Sequence, residues 1–273
     1  MKKHLSTIFL VAILILGMGI LCYPMFSDYW NSFHQSRAIA SYSESVAQLT
    51  AEDYDKLWAE AEAFNRTIPG RSNPLLLPES DREIYESLLD ISGTGIMGYI
   101  EISKIGVSLP IYHGTSDAVL QIAVGHLDAS SLPVGGASSH CVLSGHRGLP
   151  SAKLFTDLNK IVEGDTFVLR VLDETLTYQV DQIHIVEPTQ MDDLRITEGE
   201  DYCTLVTCTP YGINSHRMLV RGRRIENEAT QNTVHVTAEG LKIDPILVIP
   251  FVAAPILLLL LLGVVFLPGK KKR

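Results

Sequence analysis

The chain has 273 residues, of which 46% are hydrophobic, and carries 22 Lys and Arg against 31 Asp and Glu. Six of the basic residues lie at the two ends, which leaves 16 basic and 31 acidic residues between them and a net charge of −15. A surface of that sign repels nucleic acid, and no CxxC or His-x-x-x-His pair is present to hold a metal. The composition excludes nucleic-acid binding, and we expect no metal and no cofactor.

Two long uncharged stretches predict membrane helices near the two ends. Residues 5–23 follow a basic tip at 1–4 and span roughly 28 Å as a helix, close to the hydrocarbon thickness of a bilayer. Residues 245–268 hold seven successive Ile and Leu residues and precede a basic tail at 269–273. The positive-inside rule then places both termini in the cytoplasm and the intervening chain outside the cell.

The first stretch has two rival interpretations, a cleavable signal peptide and a lipoprotein signal. No small-x-small cleavage site directly follows Ile20, and Cys22 is preceded by Leu21 rather than by a small residue. We therefore interpret residues 5–23 as an uncleaved anchor.

Residues 24–95 are predicted to form helices with one loop between them. Thr50 with Asp53 makes a capping-box pattern ahead of apolar residues at helical spacing, and Ser80 with Glu83 repeats it. The loop at 69–78 contains three prolines and a glycine, together with three successive leucines that we expect to rest on an apolar surface.

From residue 96 to 226 the pattern changes to short runs of branched and aromatic residues between turn residues. These runs predict strands at 99–102, 107–112, 140–146, 167–171, 176–187, 203–208 and 218–225, with one short helix at 152–160. Strands this frequent predict a closed or nearly closed β-barrel. Residues 227–244 are polar and are predicted to link the barrel to the second anchor.

Three cysteines, Cys141, Cys203 and Cys208, lie between the anchors. Since three cannot all pair within one molecule, at least one thiol stays free outside the cell. Cys141 and Cys203 lie within predicted strands among apolar neighbours, which is typical of buried cysteine. Cys208 ends a strand before a Pro/Gly turn, a position that suits either a nucleophile or another buried thiol.

A nucleophilic thiol needs a base or a cation nearby, because little of it is ionised at neutral pH. His146, between two glycines at a predicted strand end, is the first candidate, and His126 and His113 are its rivals. Arg217 lies nine residues after Cys208, so the two would face each other in a hairpin, where a guanidinium stabilises an oxyanion. An ion-pairing surface role for this arginine stays open.

These segments resemble the sortase family, and within it the class C, pilin-polymerising enzymes. Residues 204–208 are similar to the family's Thr-Leu-x-Thr-Cys signature, residues 144–148 to its catalytic-histidine segment, and Arg217 stands at its arginine position. Further class C likenesses lie at 125–127, 130–133 and 209–212 and in the two anchors. The resemblance covers about residues 40–226, implies that Cys208, His146 and Arg217 are catalytic, and makes His126 structural.

The resemblance implies an eight-stranded sortase-type barrel and a two-step acyl transfer. Cys208 would cleave a Leu-Pro-x-Thr-Gly-like signal between Thr and Gly, and a lysine amine of the next pilin subunit would release the thioacyl enzyme as an isopeptide. His146 would exchange the protons, and Arg217 would hold the oxyanion. Thr207 and Thr209, which flank the thiol, are expected to contact the substrate.

Class C enzymes also carry a lid with an Asp-Pro-aromatic motif that plugs the groove. The matching residues are Asn73, Pro74 and Leu75. Because Asn makes no charged contact and Leu no aromatic one, we expect a weaker lid held by apolar contact.

Two alternatives remain open from the sequence. One is a sortase that attaches surface proteins to the peptide of the cell wall. The other, from a different class, is a membrane-tethered scaffold without catalysis, in which Cys208 would react with a thiol probe no faster than Cys141 or Cys203.

Overall fold

The computed structural model describes residues 2–70 and 76–227. Its helices are α1 Lys2–Ala47, α2 Ala51–Thr67, α3 Glu79–Ser87 and α4 Asp117–Leu120. Its strands are β1 Ile96–Ile102, β2 Val107–His113, β3 Val124–His126, β4 Ser139–Ser144, β5 Thr166–Val171, β6 Glu174–Val186, β7 Asp201–Thr209 and β8 His216–Ile225. Short 3-10 turns lie at Ile68–Gly70, Ser103–Ile105, Leu158–Lys160 and Asp192–Leu194.

The eight strands close into one barrel in the order β1-β2-β3-β4-β7-β8-β6-β5. The β2–β3 and β4–β7 pairs are parallel and the other pairs are antiparallel. This closure confirms the predicted barrel and its strand number.

Alternation along the strands separates an inner from an outer face. On β7, Cys203 and Leu205 belong to the main core, whereas Val206 packs with a small outer cluster around Val142 and Leu219. Two residues beyond Val206 on the same face, β7 reaches Cys208. The barrel therefore presents this thiol outside its core.

Two local predictions within the barrel are wrong. The predicted helix at 152–160 is only a 3-10 turn over its last residues, because Leu154 has φ +36° while Leu154, Phe155 and Leu158 are buried in the core. These apolar residues have helical spacing in the sequence, but in the structure they belong to an irregular segment whose side chains pack into the core. The prediction misses strand β3 because three residues are too few to show a recognisable strand pattern.

The two predicted capping boxes have different outcomes. Thr50 caps α2, with its hydroxyl accepting from the N–H of Asp53 and the Asp53 carboxylate accepting in return. Helix α3 instead begins after Pro78 without any side-chain cap, and Ser80 bonds to the adjacent Asp81. The predicted capping box of Ser80 and Glu83 is therefore wrong.

Helices α2 and α3 pack on the barrel core. Phe64, Ile68 and Tyr85 are all buried in it. Leu77, from the predicted apolar loop, is 3% exposed and joins the same core, whereas Leu76 is 63% exposed. The expected contact with an apolar surface is therefore made by Leu77 and not by Leu76.

Among the described residues, one helix is long and apolar enough to span a membrane. That helix is α1, which runs without a break past Pro24 to Ala47. The chain divides into two compact units, with a boundary between Asp28 and Tyr29 inside α1. The predicted second anchor at 245–268 and most of the linker at 227–244 lie outside the described residues.

Candidate active site

Cys208 and Arg217 face each other across the hairpin of β7 and β8. The strand register pairs them directly, as it pairs Thr209 with His216, which confirms the predicted hairpin. Residues opposite each other on antiparallel strands have Cα atoms about 4.5–5.5 Å apart. Cys208 is half-buried and unpaired, and Arg217 Nη1 donates to the carbonyl oxygens of Asn214 and His216 at 3.1 Å each.

His146 lies at the adjoining strand end, two residues after β4. The parallel register of β4 and β7 pairs Ser144 with Val206, and the N–H of Gly145 donates to the Val206 carbonyl oxygen at 3.0 Å. Both His146 and Cys208 lie two residues beyond this last pair, on β4's continuing chain and on β7 respectively. Because neighbouring strands lie about 4.8 Å apart, the two residues follow from one shared point of the sheet.

The chain after His146 forms a loop that returns to its starting point, and we call residues 146–155 the histidine loop. The N–H of Phe155 donates to the carbonyl oxygen of His146 at 3.1 Å, and the N–H of Gly148 donates to Thr156 Oγ1 at 3.1 Å. A Cβ at Gly145 would come within 2.6 Å of the Phe155 ring. Glycine at this position lets the ring pack beneath the loop.

Arg147 joins the histidine loop to the turn between β7 and β8. Its Nη1 donates to Thr209 Oγ1 at 3.3 Å, and its guanidinium carbon lies 6.0 Å from the centroid of the Tyr211 ring. The same ring lies against Gly148, where φ is +77° and a Cβ would approach within 2.8 Å. Nε of Arg147 is buried and has no hydrogen-bond partner among the described residues. No sequence pattern assigned this residue a role; its position beside His146 was the available signal.

The two threonines expected to contact substrate are both buried. Thr207 is 2% exposed, and its hydroxyl donates to the Gly145 carbonyl oxygen at 2.7 Å. Thr209 is 7% exposed, and its hydroxyl accepts from Arg147. Because both hydroxyls are engaged within the protein, we propose that these residues support the histidine loop rather than bind substrate.

The rival histidines are held in the interior. His126 is fully buried, with the Tyr85 hydroxyl 2.9 Å from Nδ1 and the Ser131 carbonyl oxygen 2.8 Å from Nε2. His113 Nε2 lies 2.8 Å from the carbonyl oxygen of Leu88, and burial lowers the pKa of its imidazole. Both histidines fit structural roles.

The other two cysteines of this domain also lie in the interior. Cys141 and Cys203 are paired in register inside the barrel and are 2% and 0% exposed. Burial raises the pKa of the Cys203 thiol well above its ordinary value, which keeps that thiol protonated. Cys208 is thus the accessible thiol of the barrel.

A small buried apolar cluster lies on the outer face of β4, β7 and β8. Val142, Leu194 and Leu219 pack together there. A cavity of about 520 Å³ lies beside this cluster, and its lining combines apolar residues with polar ones: Ile68, Leu127, Val142, Leu194 and Ile196 with His140, Arg195 and Glu198. The apolar surface and the catalytic candidates therefore share one face of the sheet.

The lid residues Asn73, Pro74 and Leu75 lie outside the described residues. Their predicted contact with the site stays a prediction. No group of three metal-binding side chains occurs in the part of the chain that the structure describes.

The sequence matches the family model of the sortase domain over residues 100–225. Sortase C1 of Streptococcus agalactiae is 50% identical, with a TM-score of 0.69, and the match covers 70% of this chain and 100% of that one. Streptococcus pneumoniae sortase C, whose structure was described with respect to pilin substrate specificity, is 43% identical with a TM-score of 0.63, covering 71% and 100%. Clostridium perfringens sortase C, solved with the C-terminal cell wall sorting motif, is 41% identical with a TM-score of 0.62, covering 70% and 100%.

A closed eight-stranded barrel with an accessible thiol at the end of β7 defines the structural class as a sortase-type barrel. Together with these matches, the chain belongs to the sortase family, and membership in it indicates a cysteine transpeptidase. The solved neighbours named above are all sortases C. The chain spans 63% and 47% of the lengths of the first two curated relatives it matches, which are also sortases.

Proposed function

We propose that this protein cleaves a Leu-Pro-x-Thr-Gly-like sorting signal between Thr and Gly and joins the Thr carbonyl to a lysine amine of the next pilin subunit. The observation that carries the proposal is the pairing of Cys208 with Arg217 beside the strand end that leads to His146. The clostridial neighbour, solved with the C-terminal cell wall sorting motif, supports the substrate class, and the pneumococcal neighbour, described with respect to pilin substrate specificity, supports a pilin substrate.

In the proposed first step, the Cys208 thiolate attacks the Thr carbonyl carbon. The electron pair of the C=O bond moves to oxygen, and the Arg217 guanidinium stabilises the resulting oxyanion. The C–N bond to Gly then breaks, and His146 gives its proton to the leaving amine. A thioester at Cys208 and a free Gly amine result.

In the proposed second step, a lysine amine attacks the thioester carbonyl carbon and loses a proton to His146. The C–S bond breaks as the oxyanion collapses. An isopeptide bond forms, the thiolate of Cys208 is regenerated, and His146 again carries the proton that the first step requires.

The outer face of the sheet supports an extended peptide as substrate. An extended chain advances about 3.3 Å per residue, so the three steps from Leu to Thr of the signal cover about 10 Å. On β7, Val206 lies two residues before Cys208 and packs with Val142 and Leu194, which line the cavity. With Thr at Cys208, the Leu side chain of the signal would reach this cavity.

The proposed setting is the outer surface of the cytoplasmic membrane. Domain bounds of 24–95 for the helices and lid and 96–226 for the catalytic barrel belong to this proposal, as do anchors at 5–23 and 245–268. The uncharged, unburied part of α1 supports the first anchor.

Replacement of Cys208 tests the reaction. Cys208→Ala should abolish cleavage of a fluorogenic Leu-Pro-x-Thr-Gly peptide by the full chain in detergent, with the midpoint of thermal unfolding nearly unchanged. The matched control is Cys203→Ala, since that thiol lies inside the barrel and should be dispensable for turnover. Cleavage retained by the Cys208 variant would overturn the proposed nucleophile.

The acceptor decides between pilin polymerisation and wall anchoring. The wild-type chain, loaded with signal peptide, is offered either a lysine-bearing pilin domain or an amino-terminal peptide of the cell wall. Mass spectrometry should find an isopeptide with the lysine. A product formed only with the wall peptide would replace pilin polymerisation by surface-protein anchoring.

A further inference from the structure

One face of α1 docks on the barrel and its attached loops. Residues 31, 35, 38, 39 and 42 are less exposed than their neighbours and recur at the spacing of a single helix face. Tyr42 is the buried end of this face, since its hydroxyl donates to the Met97 carbonyl oxygen at 2.9 Å and accepts from the Leu172 N–H at 2.8 Å. The other two polar residues of this face, Asn31 and Gln35, form hydrogen bonds to two different loops.

Asn31 and Gln35 make the same kind of bond to different parts of the domain. Asn31 Nδ2 donates to the carbonyl oxygen of Ser151 at 2.7 Å, and Gln35 Nε2 donates to that of Ile122 at 2.6 Å. Ser151 belongs to the histidine loop. Ile122 follows α4 and leads into β3.

Ser151 follows the exposed Pro150 at the middle of the histidine loop. The base of the loop is fixed by the bond from Phe155 to His146, and its returning half is fixed by the burial of Ala152 and Leu154 at 2% exposure each. The stretch from Arg147 to Ser151 is less buried, and within it Leu149 packs against the core. The bond at Ser151 therefore adds a restraint next to the exposed part of the loop.

We propose that Asn31 is a positioning residue for His146, so that α1 fixes the loop carrying the imidazole. This inference rests on the proposed function of His146 in proton transfer. A single neutral hydrogen bond contributes little to folding. Small displacements of a catalytic group change rates much more, up to about a hundredfold for 1 Å, so the contact acts on turnover more than on stability.

The test uses paired isosteric changes in the full chain. Asn31→Asp and Gln35→Glu each replace a hydrogen-bond-donating amide on the same face of α1 by a carboxylate of the same shape. Each carboxylate would then repel the backbone carbonyl oxygen to which the amide donates. Both add one negative charge. Only the first disturbs the histidine loop, so Gln35→Glu controls for charge and for lost docking of α1.

Asn31→Asp should lower kcat for transpeptidation roughly tenfold with little change in KM, while Gln35→Glu leaves both constants near wild type. The two variants should unfold at similar temperatures. Asn31→Gln, which keeps the donor on a longer arm, should recover part of kcat. Equal kcat for the Asp and Glu variants, or a loss in KM alone, would overturn the assignment.

A second readout separates this inference from the proposed substrate. The rate at which a methanethiosulfonate reagent labels Cys208 reports the surroundings of the thiol without any peptide. Slower labelling in Asn31→Asp than in Gln35→Glu supports the contact even if no sorting signal is cleaved by wild type. If both variants are labelled at the same rate and the wild type cleaves the peptide, the positioning role of Asn31 is rejected. The proposed function is then unaffected.

Discussion

Arg217 differs from its neighbours on β8 in what its guanidinium contacts. Arg221 forms a two-bond ion pair with Asp181 at 3.0 and 2.9 Å, and Arg223 pairs with Glu200 at 2.8 Å. Arg217 instead donates to backbone carbonyl oxygens, and within the described residues no carboxylate lies within 4.0 Å of it. No carboxylate of the described residues therefore neutralises its charge, which fits the proposed role of stabilising an oxyanion at Cys208.

Replacing this guanidinium tests that role. Arg217→Gln should lower kcat for signal-peptide cleavage by roughly 10²–10³-fold, the usual cost of losing an oxyanion donor. Arg217→Lys should recover only part of it, because an ammonium lacks the planar, multiple donors of guanidinium. Steady-state kinetics with the fluorogenic peptide measure both.

The matched control for Arg217 is Arg223→Gln on the same strand. Its side chain is 58% exposed in its ion pair, and exposed pairs contribute about 0–1 kcal/mol. Activity and stability should both stay near wild type. Comparable loss of kcat in the two variants would mean that general surface charge, rather than a local contact, supports the reaction.

Some residues of the candidate site can be predicted from the sequence and others cannot, and the difference is the distance in sequence between a residue and the residue it contacts. Cys208, His146 and Arg217 lie in segments that resemble those of the sortases, so the sequence predicts them as candidates without any contact. Asn31 carries no such pattern, because its partner is 120 positions away. The contact depends on how α1 packs, which a local pattern does not encode.

At the scale of elements, runs of branched and aromatic residues between turn residues predict seven of the eight strands but not where the chain departs from regular structure. The run at 140–146 predicts one strand, yet β4 ends at Ser144. Regular pairing ends there, and glycine at the next position leaves room for the Phe155 ring, which a side chain would displace. This end of the strand, which the residue pattern does not reveal, leaves His146 outside β4.

Gly148 offers a test of how the histidine loop and the β7–β8 turn are held together. Gly148→Ala would place a methyl group in a left-handed conformation and within 2.8 Å of the Tyr211 ring. We expect a loss of about 2–3 kcal/mol in the free energy of unfolding, combining backbone strain with overpacking. We also expect a lower kcat, because the displaced ring pushes on the loop that carries His146.

Gly164 provides the comparison for Gly148. Its φ is +93°, but a Cβ there would meet nothing within 4 Å, so Gly164→Ala isolates the backbone strain at about 1–2 kcal/mol. Its kcat should equal that of wild type. Denaturant unfolding and peptide kinetics give both quantities, and equal kcat values in the two variants would exclude a functional link through Tyr211.

At the scale of the whole molecule, α1 carries exposed aromatic side chains around the C-terminal end of its uncharged run. Tyr23, Phe26, Tyr29, Trp30 and Phe33 are 49–70% exposed. The chain is free of charge from residue 5 to residue 27, a length of about 34 Å as a helix. This exceeds the hydrocarbon thickness slightly, so in the proposed membrane setting we expect Trp30 at the level of the lipid headgroups, where aromatic belts concentrate.

The chain has only two tryptophans, Trp30 and Trp58, so each can be observed alone. In Trp58→Phe, the fluorescence of Trp30 should be quenched by brominated lipids, most strongly when bromine lies near the headgroups. In Trp30→Phe, the emission of Trp58 should escape quenching, because that ring packs partly against the barrel core. Trp30 quenched best from the bilayer centre would mean that the span extends further along α1, and absence of quenching would show that this turn of the helix lies in water.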